Sequence, residues 1–562
     1  MLNADLSGFK NLIGLYKIVN PLFTTIFLYK VALKTVTIDN TTINFDNGIE
    51  STKFYPTKSN TYNQLQLNNI AIKHNNIQTK NIQFQYQYQN SWRFLKKLIV
   101  GGIEEFTFDY SLSYTLPDPL TQSLDNWGFW RGGYELTFPI TINDVSTQNI
   151  YNRKSTVTQF CDVTLLKKIT YPTGGYSMIY YEPNQYGKIV RRFERNRTEA
   201  RISNASGYAG GARVAKIEDY DNKGGVMKKE YKYVLNYPNN SSSSGISTTD
   251  PVYYATAIAI APPIFVLVGF ITVNSFQCNF NAGQNHIAYS NVTEVRSDNS
   301  YTKFKFSSDI DLPNRGSEKT ELKNNSDFLP SDSQFPQFPT DFSFFGFGYV
   351  EDNFYKGKLL SKTDFNANNE KVKSLTYNYN FNSKLSRYVA AMSVNMMGMQ
   401  SYKICTMPCR VINEVDTTFE SSSKFLVRKI NYQYNDFDLL ELTTTTNSDG
   451  KTQKNEYRYI NDVIKVINNS SYSAIPFNDM KTKNMIGVPI ETINYVREAD
   501  NQDKVINVDA ITFQKTSDNL IVPYLAYKLH IENPISNYNP IQITHSHYWR
   551  MEATQFSEKK HL

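Results

Sequence analysis

The sequence has few of the residues on which disulfide scaffolds, metal sites and most hydrolases depend. Its 562 residues include four cysteines and six histidines. Four cysteines in a chain of this length make neither a disulfide framework nor a zinc module. No G-x-S-x-G elbow, H-E-x-x-H helix or phosphate-binding glycine loop occurs. The sequence therefore predicts a protein that is not an enzyme and that holds no cofactor or metal.

Two short pairs of residues are candidates for metal ligands. Cys405 and Cys409 have no second cysteine or histidine pair near them in the sequence, so we expect a disulfide or two free thiols. His545 and His547 would lie on one face of a strand, but their neighbours supply no carboxylate or thiolate as a third ligand. We expect a surface strand end there.

Charge is also sparse and nearly balanced. Charged residues make up 20% of the chain, and 59 basic residues stand against 52 acidic ones, for a net charge of +7. Nucleic-acid binding needs clustered Lys and Arg. The densest basic run, Lys188 to Arg201, is interrupted by Glu194 and Glu199. We therefore expect no nucleic-acid partner and interpret this run as a solvated loop face.

Signals for secretion and membrane insertion are weak in this sequence. The N-terminal segment lacks the basic start, compact apolar run and small-residue cleavage site of a secretory signal, and we expect it to lie inside a longer secreted chain. Ala255 to Val273 is long enough to cross a bilayer as a helix, but Pro262 and Pro263 stand at its centre. Two apolar strands around a Pro-Pro turn fit better, so a membrane partner is not expected.

The sequence is instead rich in alternating aromatic residues, with 40 Tyr and 35 Phe. In Ile82 to Tyr88, the apolar side chains would face one way and the glutamines the other, as in a sheet with one packed and one wet face. This pattern recurs from Leu33 onward. It predicts an all-β fold with under about a tenth helix, built as an extended antiparallel sheet of stacked β-hairpins.

The region from Leu165 to Tyr233 carries two strand, turn and strand units. Glycines in each turn are expected to allow a positive φ. Asp219 and Asp221 with Asn222 could offer oxygens to calcium, but ordinary turn chemistry is expected because the EF-hand pattern is absent. The turn residues singled out are Gly174, Gly175, Asp219, Tyr220, Asp221 and Gly224.

Three segments repeat one length, 19 positions from an opening aliphatic residue to a closing tyrosine, with another tyrosine two residues earlier. They are Val214 to Tyr233, Leu360 to Tyr379 and Leu440 to Tyr459, and Val411 to Tyr434 is a looser copy, longer by four. Equal spacing indicates hairpin units that stack on their neighbours. We expect the paired tyrosines to be scaffold, namely Tyr231, Tyr233, Tyr377, Tyr379, Tyr457 and Tyr459.

Four segments break this rhythm. Leu116 to Gly133 should be an ordered loop whose Trp127, Phe129 and Trp130 cap a core, although such aromatics could also stack on sugars. Asn239 to Asp250 has the composition of a flexible linker or loop tip. Leu385 to Gln400 has helical propensity and is expected to form a short helix. Residues 324–347, rich in Pro, Ser and Phe, are expected to lie over the sheet.

These blocks resemble the YD-repeat and Rhs-like secreted proteins of the Bacteroidetes lineage. Leu166 to Asn184 followed by Gly210 to Gly225 is similar to their central block, and Ile287 to Val295 and the tryptophan-containing loop are similar to flanking blocks. The resemblance covers about Leu33 to Phe513. It implies a long sheet that spirals on itself as a partial shell, displayed on or released from the cell, with a cargo, a toxin or further domains as partners.

The resemblance does not extend to a toxic activity. No self-cleaving core motif follows the repeats, and no toxin domain is recognisable beyond Ile535. We therefore expect a non-catalytic structural or interaction module. The alternative is a carbohydrate-binding or glycan-processing surface protein that uses exposed Trp127 and Trp130 beside paired carboxylates.

The chain is divided on this basis into five regions. They are an N-terminal segment (1–32), an N-terminal hairpin region with the tryptophan loop (33–160), a central Rhs-like block with the linker and the apolar insertion (161–320), C-terminal YD-like repeats (321–535) and a tail (536–562).

Overall fold

The computed structural model describes most of the chain between residues 33 and 555. The described residues are 33–52, 62–90, 92–117, 121, 123–133, 154–191, 201–248, 252–261, 264–276, 286–311, 355–381, 383–395, 398–462, 476–497, 502–529, 533–536, 538, 554 and 555. Three segments considered above lie outside them: residues 1–32, residues 324–347 and the pair His545 and His547.

Within the described residues, thirty strands form almost the whole fold. In the first half they are β1 Thr35–Ile38, β2 Thr41–Thr52, β3 Tyr62–His74, β4 Ile77–Gln89, β5 Trp92–Val100, β6 Glu104–Tyr110, β7 Leu166–Thr170, β8 Tyr176–Arg191, β9 Arg201–Tyr220, β10 Val226–Lys232, β11 Val234–Asn236, β12 Asn240–Ser243, β13 Gly245–Ser247, β14 Val252–Ala261 and β15 Ile264–Phe276. In the second half they are β16 Ile287–Tyr289, β17 Asn291–Arg296, β18 Tyr301–Phe306, β19 Leu359–Phe365, β20 Lys371–Phe381, β21 Arg387–Asn395, β22 Gly398–Thr406, β23 Cys409–Phe419, β24 Phe425–Tyr434, β25 Leu440–Thr446, β26 Thr452–Arg458, β27 Glu491–Arg497, β28 Asp503–Lys515, β29 Ile521–Leu529 and β30 Thr554–Gln555.

Helical structure is slight by comparison. An α-helix, α1, spans Phe477–Thr482, and 3-10 turns span Thr158–Phe160 and Ser383–Leu385. Strand accounts for 62% and helix for 4% of the structure. The predicted all-β antiparallel fold is therefore confirmed.

Twenty-four of the strands form one sheet, and 22 of these follow each other as a meander. Strands β1 to β10 pair in chain order, β10 pairs with β17, and the ladder continues through β20 to β23 and on to β30. Strand β13 is a branch that pairs antiparallel with β16 and parallel with the distal half of β8. The pairs β11 with β12, β14 with β15 and β21 with β22 form three separate two-stranded sheets. In a meander, successive connections lie alternately at the two ends of the strands. This order therefore assigns every connection to one of two rims of the sheet, each of which runs across the strand ends.

We call the first of these the turn edge, because it carries the short hairpin turns between the strands. These turns are residues 39–40, 75–76, 101–103, 171–175, 221–225, 297–300, 366–370, 420–424 and 447–451. The five longest connections leave from the opposite edge, which we call the insertion edge. These connections are residues 111–165, 233–290, 307–358, 382–408 and 459–490.

The two faces of the sheet differ in polarity, as period-two alternation requires. In the first nine strands the cross-strand register brings apolar side chains onto one face, which we call the apolar face. They are Val36, Ile43, Phe45, Ile70, Ile82, Phe84, Leu98, Phe106, Phe108, Ile169, Ile179 and Ile217. All are half-buried. Tyr88 is exposed, unlike the other apolar residues predicted for this face of β4, and it lies beyond a β-bulge in the ladder between β4 and β5.

Fully buried apolar side chains concentrate towards the C-terminal end and the insertion edge. One core cluster joins α1 to the sheet through Phe477, Met480, Ile490 and Phe513. A second cluster consists of Ile493, Val505 and Val508. The long connections at the insertion edge thus supply the second layer that the sheet needs in order to bury apolar surface.

The predicted helix at Leu385 to Gln400 is wrong. Arg387–Asn395 pairs with Gly398–Thr406 as a continuous antiparallel hairpin. Alanine and methionine favour a helix locally, but the next segment of the chain offers a complete ladder of main-chain partners. Pairing with this adjacent strand overrides the weak local preference.

The predicted linker at Asn239 to Asp250 is also wrong. Ser244, Ile246, Ser247 and Thr248 are buried, and β13 lies between β8 and β16. A Cβ on Gly245 would overlap the carbonyl oxygen of Gln185. Small residues serve close packing here, and their composition is the same as that of a flexible linker.

The apolar stretch Ala255 to Val273 forms a hairpin, as predicted. Val252–Ala261 pairs with Ile264–Phe276 on either side of the Pro-Pro dipeptide. Within the described residues, none of the helices is long and apolar enough to span a membrane.

Candidate functional site

The most regular feature of the structure is a hydrogen bond between a tyrosine hydroxyl and a main-chain carbonyl, repeated in seven hairpins. In each, the hydroxyl of a tyrosine on the second strand, or directly after it, donates to the main-chain carbonyl of an aliphatic residue on the first strand. We call these residues clamp tyrosines. The contacts are Tyr86 to Leu67 (2.7 Å), Tyr110 to Leu95 (2.9 Å), Tyr181 to Leu166 (2.7 Å), Tyr233 to Val214 (2.7 Å), Tyr379 to Leu359 (2.9 Å), Tyr434 to Val411 (3.0 Å) and Tyr459 to Leu440 (2.8 Å).

The clamp closes the end of the hairpin that lies opposite its turn. All seven hairpins turn at the turn edge, so every clamp lies towards the insertion edge. In five cases the clamp tyrosine borders a β-bulge in the ladder to the following strand, and these are Tyr86, Tyr110, Tyr181, Tyr379 and Tyr434. Because a bulge re-aims a side chain, it lets the ring lean back over its own hairpin.

Burial shapes the chemistry of these hydroxyls. It raises the pKa of Tyr379, Tyr434 and Tyr459, and the pKa of Tyr233 rises most even though the Arg213 guanidinium opposes the shift. A hydroxyl that stays protonated can keep donating to a carbonyl, but it is a poor base or nucleophile near neutral pH. The clamp therefore suits a structural role.

Sequence reasoning found four of the clamps and missed Tyr86, Tyr110 and Tyr181. Their spacings to the bonded carbonyl differ from 19 residues in two of the three cases, because the turns and strands differ in length. Tyr379 bonds Leu359 and not the neighbouring residue Leu360, from which the repeat was counted. An aliphatic residue, a turn and a tyrosine at variable spacing would have been the better signal.

The tyrosines two residues before the clamps occupy a different environment. Tyr231 lies opposite Glu294 in the register, Tyr377 lies opposite Glu414, and Tyr457 lies opposite Thr492. The pKa of Tyr231 and the pKa of Tyr377 are both raised. Burial is the larger cause, and the charge of the neighbouring glutamate is the next. Tyr231 and Tyr377 thus lie beside a glutamate on the first strand of the next hairpin.

The turns of the central block have the backbone geometry that their glycines allow. Gly174 and Gly224 have φ angles of 86° and 92°. Gly175 does not have a positive φ, but a Cβ there would come within 2.8 Å of the carbonyl oxygen of Tyr220. The Asp221 carboxylate accepts hydrogen bonds from the N–H groups of Lys223 (2.8 Å) and Gly225 (2.7 Å), so it caps the turn.

The two residues that precede Asp221, Asp219 and Tyr220, point to opposite faces of the sheet. Asp219 accepts a hydrogen bond from Ser177 on β8. Tyr220 stacks on Tyr176, with ring centroids 4.5 Å apart, and its hydroxyl donates to Glu218 at 2.9 Å. Both residues therefore have cross-strand partners on β8.

The tryptophan loop folds around one carboxylate. The Asp125 side chain accepts hydrogen bonds from the N–H groups of Trp127 and Phe129, each at 2.9 Å, and from the Thr156 hydroxyl at 2.8 Å. Burial raises the pKa of Asp125. Burial also lowers the pKa of the nearby Lys154 ammonium to about 8, against the opposing effect of Asp125. A buried acid and base thus fix the loop in place.

The aromatic side chains of this loop pack in separate places. Trp127 lies against Tyr186 and His286, whereas Trp130 lies against Phe160. Both tryptophans are half-buried. Their ring contacts are with different residues, whereas the glycan-processing alternative requires both tryptophans in one cleft beside two acids.

Phe129 attaches the loop to the sheet. Its ring lies over Gly210 and Gly211, where an added Cβ would overlap it. The Gly210 carbonyl accepts a hydrogen bond from the Asn184 side chain at 3.0 Å and lies 2.8 Å from His286 Nε2. Segments from distant parts of the chain thus meet at one glycine pair on β9.

A second polar cluster lies in the C-terminal core. Glu491 is almost fully buried and accepts a hydrogen bond from the hydroxyl of Tyr538. Tyr495 donates to Glu456 at 2.8 Å, and the Arg458 guanidinium lies 2.6 Å from the same carboxylate. Burial raises the pKa of both tyrosines. This cluster holds the Tyr538 side chain against β27.

Metal-binding geometry is not found in the described residues, where no group of three His, Cys, Asp or Glu side chains could hold an ion. Either a disulfide or two free thiols was expected for Cys405 and Cys409. In the structure Cys409 is a free thiol.

Comparisons with known proteins give distant matches. No protein-family model and no curated protein matches the chain. The crystal structure of TcdB2-TccC3-Cdc42 is similar over 81% of this chain and 25% of the other, at 8% identity and a TM-score of 0.33. That of a porin-like protein from Bacteroides uniformis ATCC 8492 is similar over 60% of this chain and 88% of the other, at 8% identity and a TM-score of 0.17. The chain spans a quarter of the first match, and neither TM-score supports an argument.

Proposed function

We propose that the chain is a non-catalytic structural and interaction module of a secreted or cell-surface YD-repeat or Rhs-like protein, and that it serves as a shell or carrier portion of a larger toxin-type or adhesion system. The observation that carries this proposal is the clamp tyrosine, repeated in seven hairpins of one sheet. A repeated hydrogen bond from a protonated hydroxyl to a main-chain carbonyl extends a scaffold and has no reacting atom.

The apolar face supports a carrier role. Its side chains form a continuous band across β1 to β9, and each remains half-buried in the described structure. Half-buried apolar side chains that lie next to one another still leave part of their surface exposed, and an extended apolar surface of this kind can contact another polypeptide. A band on one face of the sheet suits an extended cargo segment or a further domain of the same polypeptide.

The experiment compares the two faces with a reduced, carboxymethylated polypeptide as the cargo probe. Phe84→Asp and Phe106→Asp together place charge on the apolar face. Gln83→Asp and Thr107→Asp place the same charge on the polar face of the same strands. We expect the apolar-face variant to bind the probe at least tenfold more weakly, and the control to bind as the wild type does.

The result can reject the carrier role in two ways. Wild-type protein that does not retain the probe would do so, as would equal loss of binding in both variants. Circular dichroism of each variant establishes that the sheet is intact before binding is compared.

A further inference from the structure

The hairpin formed by β21 and β22 is separate from the main sheet. Arg387–Asn395 pairs with Gly398–Thr406 through nine successive residue pairs, and the two strands form a sheet of their own. Within the described residues, neither strand pairs with a strand of the main sheet. This hairpin, which we call the arm, lies in the insertion 382–408 between β20 and β23. The arm thus has its own ladder and takes none of its strand pairing from the main sheet.

The main sheet is closed at the base of the arm. Phe381, at the end of β20, is the direct cross-strand partner of Cys409, at the start of β23. The pairing of these two strands runs from there to the pair of Lys373 with Thr418. Strands β20 and β23 therefore form a hairpin by themselves, and the arm is the long connection between them. The pair at its base holds the two ends of the arm together, whatever conformation the arm adopts.

A clamp tyrosine ties each of these two strands to the strand on its other side. The Tyr379 hydroxyl on β20 donates to the Leu359 carbonyl on β19 at 2.9 Å, and the Tyr434 hydroxyl on β24 donates to the Val411 carbonyl on β23 at 3.0 Å. Tyr379 lies two residues before the end of β20, and Val411 lies two residues after the start of β23. Fraying that begins in the arm therefore reaches a clamp before it can spread along either strand.

We propose that the arm opens and moves independently of the main sheet, and that the pair at its base and the two clamps confine this motion to the arm. Proteins open locally in cooperative units that often coincide with single supersecondary motifs, and a hairpin with its own ladder is such a unit. The confinement depends on two hydroxyl groups, so it can be removed without truncating a side chain of the core. An arm of this kind can follow a bound partner while the strands at its base stay paired.

The test is a double-mutant cycle in the full chain, with hydrogen exchange of the hairpins β19–β20 and β23–β24 measured by mass spectrometry. One change replaces residues 382–408 by Asn-Gly, because this dipeptide suits a two-residue turn between paired strands. The other change is Tyr379→Phe together with Tyr434→Phe, which removes both clamp hydroxyls and keeps both rings. The cycle measures whether the arm affects the two hairpins only when the clamps are absent.

The matched control is Tyr377→Phe together with Tyr432→Phe, two residues before each clamp on the same strands. The Tyr432 hydroxyl donates to the Glu414 side chain at 3.1 Å and not to a main-chain carbonyl. The control therefore removes two hydroxyl groups from these strands but leaves the clamps in place. We expect it to leave the effect of replacing the arm unchanged.

With both clamps present, replacing the arm should change exchange in the two hairpins by less than about twofold. Without the clamps, exchange should rise at least tenfold while the arm is present, and replacement of the arm should remove most of this rise. Two results would overturn the proposal. One is unfolding or a tenfold rise in exchange when the arm alone is replaced, since the arm would then stabilise the sheet. The other is an equal effect of clamp removal with and without the arm.

Discussion

Removing one clamp hydroxyl should loosen one hairpin by a predictable amount. Tyr459 is 5% exposed, and its hydroxyl lies 2.8 Å from the carbonyl oxygen of Leu440. Tyr459→Phe keeps the ring and deletes the donor. The loss is one hydrogen bond, worth about 1 kcal/mol, together with part of the cost of leaving a buried carbonyl unsatisfied. We expect the free energy of opening of β25–β26 to fall by about 1–2 kcal/mol.

Hydrogen exchange measured by mass spectrometry on peptides from residues 440–459 reports this change directly. A fall of about 1–2 kcal/mol raises the population of the open hairpin by roughly 5–30-fold. The control is Tyr457→Phe, two residues earlier on the same strand, where the side chain lies opposite Thr492. The clamp interpretation is refuted if both substitutions raise exchange equally, or if neither does.

The ring should matter more than the hydroxyl. Alanine at Tyr233, Tyr379 or Tyr459 should cost roughly 3–5 kcal/mol, the range for truncating a large buried aromatic side chain. The loss should be similar at all three, because each closes a hairpin in the same way. The free energy of unfolding measured by urea titration should fall, without selective loss of a signal on a glycan array. Variants that stay stable but lose the glycan signal would favour the carbohydrate-binding alternative.

Two further predictions concern a backbone position and a buried charge. Val at Gly174 or Gly224 should each cost about 1–3 kcal/mol and lower the Tm, because a β-branched residue resists a positive φ; Gly133→Val, in open space without a positive φ, is the control. Lys154 releases its proton in the folded state near pH 8 but in the unfolded chain only near 10.5, so the unfolded state binds more protons between these values and stability rises with pH. Wild type should gain up to about 3 kcal/mol over this window relative to Lys154→Met, and parallel urea curves for the two proteins would contradict this.

The fold class and the hairpin units could be predicted because their causes are local. Alternating residues such as Ile82, Gln83 and Phe84 assign their own faces, and the turn around Gly174 fixes which two strands pair. The clamp at Tyr459 also joins neighbouring strands, so equal chain spacing pointed to it. Register, turn and clamp all depend on residues close together in the sequence.

Other features depended on contacts that no local pattern encodes. The buried β13 has the composition of a linker, and only its position between β8 and β16 shows that Gly245 is required for close approach. The packing of Phe129 on Gly210 and Gly211 joins segments about 80 residues apart. The gathering of the long insertions at one edge follows from meander parity over the whole sheet.

The sequence by itself therefore determined the repeating unit, its turns and the polarity of its faces, since each arises from neighbouring residues. The tertiary structure alone decided that the tryptophans are packed apart, that Lys154 is buried beside Asp125, and that the arm is separate from the main sheet. The physical reason is that burial and alignment are properties of the assembled sheet and its long insertions, which bring together residues that are distant in the chain.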